Sequence, residues 1–230
     1  MATGEPPGPL VGSGRSADVY AVGQGRVLRR FRTPYDASAE ADVMIHLAKA
    51  GFPVPAVYDA DGPDLVMERL DGRDMLADLA RRPYLARRHG RTLAMLHNRL
   101  HEVRAPAGLR SALGPGDRVL HLDLHPANVM LTARGPVVID WTNASAGAPG
   151  ADVAMAYLIM ASSDTDLIPW WLRPAVRMLR AALLGQFLAA AHDDPAPHIA
   201  RVARARMADR NVRPAEAERL LRMAERSEQA

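Results

Sequence analysis

The sequence contains no cysteine. A disulfide scaffold, a thiolate metal centre and a cysteine nucleophile are therefore excluded. Lysine is almost as scarce, since Lys49 is the sole lysine among 29 basic residues and the others are arginines. Aromatic residues make up 5 % of the chain and none lies beyond Phe187, so the arginine-rich tail lacks platforms for base stacking. No H-E-x-x-H pair occurs, which weakens a zinc site. No apolar run approaches a membrane span; the longest, Val153–Ala161, reaches about half of one. The opening MATGEPPGPL lacks a basic stretch followed by an apolar one, so it does not read as a secretory signal. A soluble, cytoplasmic protein without a membrane partner is the expectation.

What is present suits a folded chain. Over 230 residues, 48 % hydrophobic and 24 % charged residues exclude global disorder and supply a core. The formal net charge of +3 sits wholly in the tail, where eight arginines from Arg201 to Arg226 face five acids. Those acids interleave with the arginines, and Glu218 and Arg222 stand at i,i+4 in the favourable order. The tail thus reads as a solvated helix face, with no nucleic acid as partner.

Residues 1–9 are rich in proline and glycine and read as a flexible tail. Leu10–Val22 reads as strand, glycine turn, strand, and Val27–Phe31 as a third strand. Asp36–Ala50 reads as a helix capped by Asp36, with a stripe of Ala41, Met44, Ile45 and Ala48. Val54–Tyr58 and Asp64–Glu68 follow as strands, the first at an edge or irregular because of Pro55. Beyond Leu70-Asp71-Gly72 the pattern turns helical, with a short helix around Met75–Leu79 and a longer one over Leu85–Val103. Val129–Leu131 and Val137–Ile139 flank a turn and form a hairpin. From Asp152 onward helices are expected, broken near Pro169, Pro174, Pro195 and Pro214.

The chemistry concentrates in His121-Leu122-Asp123-Leu124-His125-Pro126-Ala127-Asn128, a strand entering a loop with an aspartate and, five positions on, an asparagine. Asp140 lies at a strand end just past the hairpin. A carboxylate and an amide oxygen are hard ligands suited to Mg²⁺, and Asp123 is left to accept a proton. Taken singly, each of these residues could also be a turn cap.

The H-x-D-x-x-x-x-N spacing followed by apolar-Asp resembles the aminoglycoside phosphotransferase/choline kinase family of protein-kinase-like phosphotransferases. The resemblance spans about residues 10–160 and is strongest over 119–141. It implies an α+β, bilobal kinase-like fold: an N-lobe over 10–70 with a small antiparallel sheet and one helix, and a mainly helical C-lobe over 71–230. It implies transfer of the γ-phosphate of ATP or GTP to a hydroxyl of a small-molecule acceptor, with Asp123 as base and Asn128 and Asp140 holding Mg²⁺. Gly12, Ser13 and Gly14 would then cover the phosphates. Met67, Glu68 and Leu70 would meet the purine. The lysine expected on the third strand is absent, and Arg29 or Arg30 takes its place, with Glu40 as partner. Arginine is no equivalent of lysine, so a catalytically weakened nucleotide binder is the alternative reading. Asp152 resembles the aspartate that braces the catalytic loop from a helix start; an N-cap is the plainer role. The acceptor and the oligomeric state are not legible.

Overall fold

The computed structural model describes residues 8–14, 16–164, 168–209 and 212–229. Residues 1–7 of the expected tail, and Arg15, Asp166 and Arg210, lie outside them. In chain order the elements are β1 (Leu10–Ser13), β2 (Ala17–Ala21), β3 (Arg26–Phe31), α1 (Ser38–Lys49), β4 (Val57–Asp61), β5 (Asp64–Glu68), β6 (Arg73–Asp74), α2 (Met75–Arg81), α3 (Ala86–Leu100), β7 (Arg118–Leu120), β8 (Val129–Thr132), β9 (Gly135–Val138), β10 (Ser145–Gly147), α4 (Pro149–Ser162), α5 (Arg173–Ala190), α6 (Ile199–Met207) and α7 (Pro214–Glu228). The fold is mixed α+β. It forms two compact units, the first comprising the chain up to Arg73 and again Met130–Thr142, the second Asp74–Val129 and the chain from Asn143 onward.

In the first unit, β1-β2-β3-β5-β4 form an antiparallel sheet. Alternation along β3 buries Val27 and Phe31 in the apolar interior and places Arg29 on the same face, itself buried. Helix α1 buries Glu40, Val43, Met44 and Leu47, while Ile45 is exposed. The buried face is therefore centred one position earlier than the apolar stripe suggests, because Glu40 turns inward to meet Arg29. Asp36 does not cap α1 directly. Ala37 is the N-cap residue, and the Asp36 carboxylate accepts the Ser38 N–H one position earlier. The strand expected over Val54–Tyr58 is shifted to Val57–Asp61, since Pro55 has no N–H to give a ladder. The β8–β9 hairpin belongs to this unit from Met130 on, and Val138 N–H donates to the Pro53 carbonyl at 2.9 Å. Trp141 is buried edge-on against Phe52, their centroids 5.7 Å apart.

The second unit is helical apart from the short β7–β10 pair. Strand β10 falls where Ala, Gly and Ser give no strand signal, and pairing with β7 makes it one. Its centre is α4, buried on nearly every face, and Leu120, Leu122, Met155, Leu158, Val202 and Leu220 share one core. Helix α4 begins at Pro149, with proline in the first turn where its missing N–H costs nothing. Asp152 therefore lies inside the helix and does not cap it. Helices α3 and α5 meet at Gly90, where a Cβ would lie 2.4 Å from the Leu183 carbonyl oxygen. The tail arginines are largely paired: Arg204 with Glu228, Arg206 with Asp209 and Glu216, Arg219 with Asp164. Among the described residues no helix is long and apolar enough to cross a membrane.

Candidate active site

The two units contribute separate sets of candidate residues. In the first, β1 and β2 form a hairpin with Gly12 opposite Val19 and Ser13 opposite Asp18. The Ser13 hydroxyl donates to Asp18 at 2.7 Å and accepts from Arg32 at 2.6 Å. Arg32 and the hydrogen bond from Ser13 draw the Asp18 carboxyl down to about 2. Gly14 N–H closes the turn on the Ala17 carbonyl at 2.9 Å. Neither Gly12 nor Gly14 has a positive φ. A Cβ at either position would make only ordinary contacts, 3.8 Å to Val19 and 3.5 Å to Ala17. Backbone conformation and packing thus leave these glycines unexplained, while their bareness opens the outer side of the hairpin.

Of the two candidate arginines, Arg29 and Arg30, Arg30 is spent on a two-pronged pair with Asp64, at 2.8 and 2.7 Å. Arg29 points inward. Its Nη1 donates to Glu40 Oε1 at 2.8 Å and its Nη2 to Asp140 Oδ1 at 2.8 Å, while the guanidinium lies 4.7 Å from the Phe31 ring centroid. Burial works against its charge, but Glu40 and Asp140 hold its pKa above the ordinary value. Burial pushes the Glu40 carboxyl up, opposed by Arg29, by the Trp141 N–H and by the Thr142 hydroxyl. Asp140 adopts a left-handed backbone, φ 65°, which aspartate tolerates.

On β5, Met67 pairs in register with Val27 and Val57 and is half-buried. The Glu68 side chain is structural, accepting from Ala56 N–H at 3.1 Å and from Arg134 at 2.8 Å. Leu70 follows the strand, and its N–H has no hydrogen-bond partner among the described residues.

In the second unit, the loop after β7 carries Asp123 and Asn128. The Asn128 amide Nδ2 donates to the Asp123 carbonyl at 2.8 Å and to its Oδ2 at 3.1 Å. His121 is fully buried, and its Nδ1 accepts the Asp123 N–H at 3.2 Å, an anchoring role. His125 Nδ1 accepts the Ala127 N–H, so in the neutral ring the proton sits on Nε2, which faces Asp123 Oδ1 at 3.5 Å. Leu122 has φ 60°, a costly conformation for leucine. Asp152 holds it there: Oδ2 accepts the His121 N–H at 3.0 Å and Oδ1 the Leu122 N–H at 2.7 Å. His101 completes the network, with Nε2 3.2 Å from Asp152 and Nδ1 2.7 Å from Asp193. Burial would lower His101, yet the hydrogen bonds to both carboxylates raise it to about 9, so the ring is an imidazolium at neutral pH. Burial alone would raise Asp152, and the bonds from His101 and the backbone instead hold it well below the usual range. His97, against Phe187, is driven down to about 4 by burial and stays neutral.

Thr142 and His101 are the residues that sequence reasoning does not reach. The one available signal was spacing: His97/His101 and His121/His125 both stand at i,i+4. Neither pair makes a metal site, because His101 and His121 spend ring nitrogens on carboxylates and backbone N–H. No group of three or more His, Asp or Glu gathers in metal-binding fashion among the described residues. Trp141 is core, whereas Trp170 and Trp171 are exposed.

A family profile described as the phosphotransferase enzyme family matches residues 8–120 and 109–203. A comparison with curated proteins finds no match. Among solved structures, the chain is similar to a choline/ethanolamine kinase family protein from Mesorhizobium loti, with 17 % identity over 99 % of this chain and 90 % of that one and a TM-score of 0.58. It is similar to the ADP-bound aminoglycoside phosphotransferase APH(2'')-Ib, with 12 % identity over 95 % and 93 % of the two chains and a TM-score of 0.59. Likewise, the amicoumacin kinase hAmiN, solved with AMP-PNP, Ca²⁺ and Ami, shares 14 % identity over 96 % and 87 % with a TM-score of 0.53. These likenesses establish a kinase-like fold, and nothing in them favours a catalytically silent binder. The family profile covers most of the sequence, and on that ground the chain belongs to the phosphotransferase enzyme family.

Proposed function

We propose that this protein transfers the γ-phosphoryl group of ATP or GTP to a hydroxyl of a small-molecule acceptor, with Mg²⁺ as the accompanying cation. The observation that carries this reading is the Asp123–Asn128 pair. Asn128 spends its amide nitrogen on Asp123 and leaves its carbonyl oxygen without a hydrogen-bond partner among the described residues. The Asp123 side chain keeps 25 % of its surface exposed, enough to be reached by a hydroxyl. A turn built only for stability has no use for an unpartnered amide oxygen beside an accessible carboxylate.

Asp123 orients the acceptor hydroxyl and takes its proton. Asn128 and Asp140 are the cation ligands in this reading, and their oxygen donors fit Mg²⁺, which prefers hard oxygen ligands. When bound, the cation offsets charge on the nucleotide phosphates. Gly12 and Gly14 bring bare backbone toward those phosphates, and Ser13 stiffens the hairpin through Asp18 and Arg32. The unpartnered Leu70 N–H, with Glu68 and Met67 before it, is suited to a purine edge. Arg29, itself paired with Glu40, holds the Asp140 carboxylate. Two of the similar structures carry ADP or AMP-PNP, in keeping with a nucleotide donor.

The test is Asp123→Ala, assayed for nucleotide consumption against a library of hydroxyl-bearing acceptors. Turnover should fall by about 10³-fold, within the range for loss of a general base, while nucleotide affinity holds. Wild-type turnover in this variant refutes the assignment.

A further inference from the structure

We propose that Thr142 is a positioning residue for Asp140, locking that carboxylate to the Arg29–Glu40 pair so that it is presented to a divalent cation in one orientation. The proposal rests on the functional reading of Asp140 given above and deepens it.

Four side chains meet here within the first unit. Arg29 Nη2 reaches both Asp140 Oδ1 at 2.8 Å and the Thr142 hydroxyl at 3.3 Å. The Thr142 hydroxyl lies 2.7 Å from Asp140 Oδ1 and 3.3 Å from Glu40 Oε2. A hydroxyl has a single proton and two lone pairs. It accepts from the guanidinium and gives its proton to one of the two carboxylates, and the shorter distance selects Asp140. Glu40 is fixed independently, through Arg29 Nη1 at 2.8 Å and the Trp141 N–H at 3.0 Å. Two donors, Arg29 Nη2 and the Thr142 hydroxyl, therefore converge on Asp140 Oδ1, and the threonine stands two residues along the chain.

The arrangement depends on arginine. A lysine ammonium is a point donor on a flexible stem, whereas the planar fork of Arg29 offers separate nitrogens to Glu40 and to Asp140. A single bond to Nη2 is a pivot for a carboxylate, and the Thr142 hydroxyl, two residues along the chain, adds a second donor to the same oxygen. Groups that orient a metal ligand without touching the metal set affinity strongly; their loss costs about 10–100-fold.

The experiment compares wild type with T142V, T142S and D140N. Valine keeps the shape and removes the hydroxyl; serine keeps the hydroxyl. Mn²⁺ is the probe, its binding followed by electron paramagnetic resonance in the presence of AMP-PNP, and AMP-PNP affinity is measured separately without metal. T142V should weaken Mn²⁺ binding by about 10-fold or more, with metal-free AMP-PNP affinity unchanged and thermal melting close to wild type. T142S should restore Mn²⁺ binding. Wild-type Mn²⁺ affinity in T142V, with D140N impaired, overturns the proposal and leaves the functional reading standing. Equal weakness in T142V and T142S overturns it as well, since the hydroxyl is then not the agent. Unchanged binding in D140N removes Asp140 from the cation site, and the proposal falls together with that assignment.

Discussion

Replacing Asp152 with asparagine strikes the support of the 121–128 loop without touching Asp123. The carboxylate is fully buried and serves three donors: the N–H groups of His121 and Leu122 and the His101 imidazolium. An asparagine fits the space but has one accepting oxygen, so its NH₂ must face a donor. Removing one partner of a buried ion pair costs about 3–5 kcal/mol, and a backbone N–H left unsatisfied about 1–3 kcal/mol. Asp193 stays on the far side of His101 and limits the first loss, so a net destabilisation of about 4 kcal/mol is expected. Urea unfolding followed by far-UV circular dichroism is the assay, because among the described residues every helix except α1 lies in the second unit. A variant within about 1 kcal/mol of wild type would show that the network carries no weight, for then even a single lost hydrogen bond goes unseen.

The same network makes stability depend on pH in a defined direction. The His101 value rises from 6.5 to about 9 on folding. Its contribution is fully present below the unfolded value and is lost as pH rises through about 9. Between those limits wild type should lose on the order of 3 kcal/mol. Asp152, depressed in the folded state, contributes above its ordinary value and loses that contribution as pH falls below it. Asp152→Asn should flatten the alkaline decline. An undiminished decline in the variant would assign it to other groups.

Three further outcomes follow from the geometry. Arg29→Ala leaves Glu40 buried beside Asp140 without a cation and should cost about 3–5 kcal/mol by urea unfolding, with Arg29→Lys intermediate; equal stability of Arg29→Ala and wild type would deny the pair its role. Gly14→Val should fold normally, because space and φ permit a side chain, yet raise the KM for nucleotide by about 10-fold, or about 1.4 kcal/mol; an unchanged KM would detach the hairpin from phosphate binding. Gly90→Ala should destabilise by about 1–3 kcal/mol through overpacking against the Leu183 carbonyl, read from the melting temperature.

The parts of this fold that announce themselves in sequence are those set by local chemistry. β3, β5, α3 and the β8–β9 hairpin follow from alternation, helical periodicity and glycine turns. The Asp123–Asn128 loop is legible because its spacing is short and both residues act within one turn. Misplaced features have a common origin in partners distant along the chain. Phase in α1 was set by Glu40 reaching Arg29 across eleven residues. Strand β10 exists only as the partner of β7, some twenty-five residues earlier in the chain. His101 and Asp193 follow helices α3 and α5, ninety-two positions apart, and nothing local links one to the other.

Backbone strain supplies a criterion that composition does not. Three described non-glycine residues have positive φ: Gln24, Leu122 and Asp140. Gln24 sits between Gly23 and Gly25 in the turn before β3, where a tight reversal accounts for it. Leu122 and Asp140 lie in no such turn; the conformation costs leucine about 1–3 kcal/mol, and aspartate, which tolerates it, less. Leu122 immediately precedes Asp123, and Asp140 is itself a candidate ligand. Each is held by a buried charge: Asp152 grips the backbone at Leu122, and Arg29 the side chain of Asp140. A chain selected for stability alone sheds such strain. Its persistence at these two places, each tied to a buried ion pair, is best explained if the orientation of Asp123 and Asp140 is what the surrounding structure is built to maintain.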